Sequence, residues 1–305
     1  MMNYANTILV RLWGGLGNQM YQYALAKKLS LLNNNAQIKL DISYFENYYW
    51  PFELNKLNIH ASIADKKDIF GFDNGTLGVK LSRLIEKIPW IRVKDFIRKP
   101  FSKVYTEPKV SFCPEVLNIR KDVYLKGYWS SYKYFSDIRD VLLKEFEFKG
   151  TMNEDNKRIA EQIISSKTSV SLHVRRGDYI KLPNAKKLFR SPYEDGFYDR
   201  AISEIEKNIE NPEFFLFSDD LEWVKEHIKL NHKTTLVDIN KGNNNYWDMK
   251  LMSLCKHNII ANSTFSWWAA YLNQNENKLI YAPKAWLNDS RYIMDDIIPP
   301  DFEMI

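Results

Sequence analysis

Short apolar runs alternate along this chain with stretches of helical periodicity. Thr7-Ile8-Leu9-Val10-Arg11-Leu12-Trp13 is apolar at most positions, as in a parallel strand covered on both faces. A glycine turn follows, then a helix with Tyr21, Leu25, Leu29 and Leu32 on one face, ending at Asn33-Asn34-Asn35. Residues 37–41 and 123–128 predict further strands, and residues 50–120 are less regular. The second half is cleaner. Strands over 169–174, 213–217, 234–238, 257–261 and 278–282 alternate with helices near 194–209, 220–229, 246–256 and 264–273. Such alternation implies a parallel sheet with helices on both faces.

A chain of 305 residues suits about two domains of roughly 150 residues each. The polar stretch Gly150 to Asn156 marks the expected boundary, dividing 1–152 from 153–305. The expected architecture is α/β, two Rossmann-like domains facing each other across a cleft. Hydrophobic content of 45% with 27% charged residues is that of a globular protein. A net charge of +5 favours anionic ligands and is too small to argue for nucleic acid. Cys113 and Cys255 make neither a disulfide framework nor a metal cluster, and the N-terminus lacks a signal-peptide pattern. No apolar run is long enough to span a bilayer. A cytoplasmic protein is therefore expected. Residues 79–105 carry eight Lys/Arg against two acids, with Leu81, Leu84, Ile85 and Ile88 at helical spacing. Contact with an anionic membrane surface is the alternative there to an ordinary core-facing helix.

The chemistry concentrates where strands end. His173-Val174-Arg175-Arg176-Gly177-Asp178-Tyr179 closes the strand at 169–174 with two guanidinium groups and a glycine turn. Arginine forks grip phosphate bidentately and stay charged. At a strand's C-terminal end they suit an anion site, since open α/β sheets bind ligands there. The rival reading is solvated surface, with Arg-Gly-Asp an accidental tripeptide. Gly14-Gly15-Leu16-Gly17-Asn18-Gln19 lacks the third glycine of a dinucleotide fingerprint, Met20 standing there, and has no P-loop lysine. It is expected to expose amides at a helix N-terminus, with Asn18 and Gln19 as adaptable hydrogen-bonding side chains; a plain βα turn is the alternative.

Asn262-Ser263-Thr264-Phe265-Ser266 caps a helix after a short apolar strand, where free amides can cradle a diphosphate. Trp267 and Trp268 are expected to pack in the core. Phe217-Ser218-Asp219-Asp220 ends a third strand with two acids, suited to capping the next helix or to contacting a nucleobase. Tyr23 and Lys27 match the Tyr-x-x-x-Lys spacing of short-chain dehydrogenases but lie on the wrong helix for that chemistry, so the match is taken as coincidence.

Together these segments resemble glycosyltransferase family 11, the inverting α-1,2-fucosyltransferases, and most of all its bacterial members. The matching residues are Gly14 to Met20, His173 to Tyr179 and Asn262 to Leu272, supported by Phe217 to Trp223 and by Gly127-Tyr128-Trp129 through Phe135. Ser130 departs from the Gln expected there, and residues 50–120 carry little of the likeness. The resemblance implies a GT-B-like fold with GDP-fucose held mainly by the C-terminal domain, 153–305, and the N-terminal domain, 1–152, as the acceptor side. It implies L-fucose transfer to the 2-hydroxyl of a terminal galactose on an oligosaccharide or lipid-linked polysaccharide unit. It implies no metal and no cofactor beyond the donor. The expected catalytic residues are Arg175, Arg176 and Asp178, with Arg175 stabilising the leaving β-phosphate and Asp178 orienting the turn. Gly17, Asn18, His173, Asp219, Ser263, Thr264, Phe265 and Ser266 are expected to contact the donor. Asp41 and Glu53 are the carboxylates considered, without preference, as a base. A non-catalytic GDP-sugar or glycan-binding protein is the alternative. An NADP-dependent nucleotide-sugar enzyme would need the missing fingerprint.

Overall fold

Two parallel sheets organise the chain, one in Met1–Glu147 and one in Phe148–Ile305. The structure, a computed structural model, describes residues 6–73, 103–177, 187–288 and 294–305. In the first unit β1 (Thr7–Arg11) runs into α1 (Leu16–Leu32) and returns as β2 (Gln37–Asp41). There follow β3 (Ser62–Ile63), α2 (Lys66–Asp73), β4 (Val104–Thr106), β5 (Val123–Lys126) and α3 (Arg139–Glu145). Every pairing is parallel, in the order β3-β2-β1-β5-β4. β1 and β5 are therefore neighbours in the sheet without being consecutive in the chain.

Two features set the start of α1. Gly14 lies at φ 76°, where a Cβ would stand 2.4 Å from Asn18 Nδ2. Gln19 is wholly buried: its Nε2 donates to Gly14 O and Pro51 O, both at 2.9 Å, and its Oε1 accepts from Glu53 N and Leu54 N. This corrects the expectation of an adaptable side chain at that position, because every polar atom of Gln19 is used to tie the loop at 51–54 to the glycine turn.

Tyr23 and Lys27 do share a partner. The Tyr23 hydroxyl and Lys27 Nζ, the latter at 2.6 Å, both meet the Glu145 carboxylate, which His60 Nδ1 also approaches at 3.3 Å. Glu145 is 5% exposed, so the cluster joins α1 to α3 as a buried ion pair. The dehydrogenase-like spacing is structural here.

In the second unit come α4 (Glu154–Ser165), β6 (Ser169–Val174), α5 (Phe197–Asn208), β7 (Glu213–Ser218), α6 (Leu221–His227) and β8 (Thr234–Leu236). They lead to α7 (Tyr246–Leu254), β9 (His257–Ile259), α8 (Thr264–Leu272), β10 (Ile280–Ala282) and β11 (Glu303–Met304). The order β11-β10-β9-β6-β7-β8 is the doubly wound Rossmann order, reversing between β6 and β9. The division between the units falls between Glu147 and Phe148, not at 152/153. Phe148 stacks on Tyr246 and Trp247, at centroid distances of 6.1 and 6.0 Å, and so belongs with the second unit. The polar run behind the expected boundary is a helix start, with Asn153 Oδ1 accepting from Asn156 N.

All six residues of β6 are buried. Val170, Leu172 and Val174 join the apolar core with Phe197, Ile205, Phe214 and Leu216. The alternate positions are polar yet inside, and their bonds explain how. Ser169 Oγ accepts from Lys256 N, and Ser171 Oγ accepts from Asn258 Nδ2 at 2.7 Å, Asn258 in turn being bound by Asn273. Period-two polarity here marks a satisfied buried seam. Among the described residues no helix is long and apolar enough to cross a membrane. The basic stretch at 79–105 lies outside them except for residues 103–105.

Removing the shared anion should unfold the first unit more readily. Glu145→Ala is expected to lower stability by about 3 kcal/mol, read by urea denaturation, because Lys27 and Tyr23 then keep no buried acceptor. A loss under about 0.5 kcal/mol would make the cluster a surface pair instead.

Candidate active site

The arginine turn leaves β6 at the point where strand order reverses. Asp219, just beyond β7, organises it. Asp219 Oδ1 accepts from Arg176 N and Oδ2 from Gly177 N, each at 2.9 Å, and Oδ2 also meets Arg175 Nη1 at 3.1 Å. A Cβ on Gly177 would stand 2.5 Å from Asp219 Oδ2, so the glycine is required for the carboxylate's approach. Asp219, expected at the nucleotide, is thus committed to the turn. Two amides and a guanidinium surround its oxygens, and a carboxylate so bound has little capacity left for a ligand.

Arg176 is fixed from two sides. Its Nε meets Asp220 Oδ2 at 3.2 Å, and its guanidinium carbon lies 3.8 Å above the Trp223 ring. Trp223 in turn stacks on His227 at 4.2 Å. Asp220 Oδ1 caps α6 by accepting from Trp223 N, the capping role considered for this pair of acids. A guanidinium held by stacking and an ion pair together is oriented more than it is mobile. Sequence reasoning passed over Trp223 as a functional residue. Its signal was the spacing, three residues after Asp220 on a short helix, which brings it back to the strand end.

His173 is 5% exposed in β6, with Phe265 6.0 Å away and its carbonyl accepting from Tyr198 Oη. Its Nδ1 has no hydrogen-bond partner among the described residues. Burial, and next the Arg175 charge, push its pKa down to about 4 against a partial offset from Asp219. The ring is neutral at pH 7.

The fourth wall is α8, reached from β9. Ser263 Oγ caps it by accepting from Phe265 N. Asn262 Nδ2 donates to Arg190 O and Trp286 O, fixing the entry. Ser266 departs from expectation. Its hydroxyl is buried, accepting from Ala261 N and donating to Ser263 O, so its oxygen serves the turn and not a ligand. Trp267 and Trp268 are fully buried, with Trp267 Nε1 bound to Ile297 O. Thr264 is half-buried at the first helical position.

Asp178 lies outside the described residues. Gly17 and Asn18 belong to the first unit, at its own glycine turn. Of the two carboxylates considered as bases, Asp41 is buried and accepts from Tyr124 Oη and Ser43 N. Glu53 is 3% exposed, and burial pushes its pKa up to about 7.

The comparisons with known proteins agree on a family. The model for glycosyl transferase family 11 matches residues 7–303. An alpha-1,2-colitosyltransferase of Escherichia coli is 33% identical over 285 residues, 92% of each chain. The O-antigen biosynthesis glycosyltransferase WbnK of the same organism is 32% identical over 93% of this chain and 97% of its own. Human galactoside alpha-(1,2)-fucosyltransferase 1 is 25% identical over 92% of this chain and 68% of its own. Among solved structures, NodZ alpha-1,6-fucosyltransferase soaked with GDP-fucose covers 88% of this chain and 92% of that one, with TM-score 0.52 at 14% identity. A mutant of Arabidopsis thaliana FUT1 in complex with GDP covers 93% of this chain and 72% of that one, with TM-score 0.51 at 11% identity. At such identities the structures speak for the fold alone, the GT-B-like pair of Rossmann-like domains.

The buried imidazole gives the second unit a pH dependence. An unfolded histidine takes up its proton near pH 6.5 and His173 only near 4, so stability is complete above 6.5 and is lost as pH falls through 4. Between pH 7 and 4 the urea midpoint should fall less steeply in His173→Gln, the difference being on the order of 2 kcal/mol. Equal slopes would place no titration at this ring.

Proposed function

The chain belongs to glycosyl transferase family 11, and from that premise we propose that it moves L-fucose from GDP-fucose to the 2-hydroxyl of a terminal galactose, with inversion at the anomeric carbon. The observation that carries this reading is the Arg175 guanidinium, tied by Asp219 to the end of β6 beside the reversal of strand order. The acceptor oxygen forms its bond to the anomeric carbon on the face opposite the diphosphate. The bond from that carbon to the β-phosphate oxygen breaks, and its electron pair leaves with GDP. Arg175 meets the charge that grows on that oxygen, a role worth about 3 kcal/mol for a well-placed donor. The amides at the start of α8, with Ser263 and Thr264, hold the diphosphate alongside it.

Arg176, stacked and ion-paired, keeps the turn in place, and Asp178 shares in orienting it. His173, neutral and buried against Phe265, lines the nucleotide side. No metal enters this reading, because guanidinium groups carry the charge at the leaving diphosphate. The acceptor proton passes to solvent, since departure of GDP ahead of attack needs little help from a base.

The names of the relatives support the donor and acceptor classes, a galactoside fucosyltransferase and an O-antigen enzyme among them. They also favour a second donor. A colitosyltransferase at 33% identity makes colitose, in place of fucose, the second reading. On either donor the enzyme would work in the cytoplasm, with acceptors that include lipid-linked units at the membrane.

Two measurements test the proposal. Incubation with GDP-fucose or GDP-colitose and a panel of galactosyl disaccharides should release GDP only when donor and galactoside are both present; donor binding without release would make the protein a binder. Arg175→Ala should cut transfer by about 100- to 1,000-fold with the circular dichroism unchanged, and Asp219→Ala should follow it in part. Near-normal turnover in Arg175→Ala would remove that residue from the mechanism.

A further inference from the structure

In the first unit β1 and β5 are parallel neighbours far apart in sequence, and aromatic rings gather beyond their C-terminal ends. Trp13 lies two residues beyond β1 and Tyr128 two beyond β5, and their rings meet edge to face at 5.5 Å. The loop after β2 extends the surface. Tyr44 approaches Trp13 at 6.4 Å, Tyr48 approaches Tyr44 at 4.4 Å, Tyr49 approaches Tyr48 at 4.7 Å, and Trp50 approaches Tyr49 at 5.1 Å. Trp50 lies against the backbone of Gly15, its ring 3.8 Å from where a Cβ would stand. The chain of rings thus ends on the glycine turn.

This surface is not core. Tyr49 is 63% exposed and Tyr128 46%. Single exposed rings are ordinary, but a contiguous run of them beyond the C-terminal ends of parallel strands suits a bound ligand. Its chemistry narrows the ligand. Every ring in the run carries a hydroxyl or an indole N–H. Beneath them the Arg11 guanidinium lies 5.5 Å from the Trp13 centroid and 6.0 Å from that of Tyr44. Neither Arg11 Nε nor Trp13 Nε1 has a hydrogen-bond partner among the described residues. Flat faces edged by donors match a pyranose, which offers one face of C–H groups and a rim of hydroxyls.

The platform is also held rigid. Glu107 accepts from Tyr128 N at 2.7 Å and Trp129 N at 3.1 Å, supporting Trp129 in a left-handed conformation at φ 58°. A bulky ring residue does not adopt that conformation without such support.

We propose that this run of rings, Trp13, Tyr44, Tyr49 and Tyr128 above all, is the site where the acceptor glycan stacks. The assignment rests on the reading that the acceptor is a glycan and says which residues of this chain select it. The test separates the two. Saturation-transfer NMR with β-galactosyl-(1→3)-N-acetylglucosamine, without donor, is run on the protein and on Tyr49→Ala and Tyr128→Ala, with GDP affinity measured by calorimetry. The exposed positions leave folding intact, which an unchanged melting temperature checks. Disaccharide signals should weaken in both variants and the acceptor KM rise about tenfold, with GDP affinity unchanged. Unchanged disaccharide binding and KM in both variants, or displacement of the disaccharide from the rings by GDP, overturns the site while leaving the fucosyltransferase reading intact. Disaccharide bound through these rings, with no transfer from any GDP-sugar, supports the site and overturns that reading.

Discussion

The Asp219 carboxylate bridges two backbone amides and one guanidinium, and the candidate active site depends on that bridge. It joins the ends of two adjacent strands, β6 and β7, beside the Arg176–Asp220 pair. The bonds are charge-assisted and the group is partly shielded, so each is stronger than a bond between neutral groups. Without it the Arg175-Arg176-Gly177 turn would have no reason to keep its amides on one side. Gly177 is the complementary requirement, since any larger residue would push the carboxylate away.

From this bridge the two arginines acquire different surroundings. Arg175 is drawn to Asp219 and stays at the strand end. Arg176 is pulled to Asp220 and laid on Trp223. The two guanidinium groups meet different acids, so one motif supplies one guanidinium to each environment. The same acids therefore hold the two guanidinium groups in different surroundings.

Each unit repeats one architectural idea with different side chains. A parallel sheet gathers side chains beyond the C-terminal ends of its strands. In the second unit arginines, a capped helix start and a neutral histidine stand there, a cationic set. In the first unit indoles and phenols stand there, a neutral set.

Much of this was legible in the chain itself. The strands of the second half, the Rossmann pattern, the arginine turn and the capped helix at 264 follow from period, turn residues and strand-end chemistry, all local properties. The family likeness added the reaction class. What sequence left open was set by contacts between distant residues. Gln19 and Ser266 have side chains that suit ligands, and only their partners at 51–54 and 261–263 show that both are used internally. Asp219 looked like a nucleotide contact until the arginine turn was seen to close on it from 42 residues away. The polar run at 150–156 resembled a linker because a helix cap and a linker share the same residues. Polar and aromatic side chains take their role from the partner they meet. The sequence by itself determined which groups stand at the strand ends; the tertiary structure decided which of them are already satisfied and which remain for a ligand.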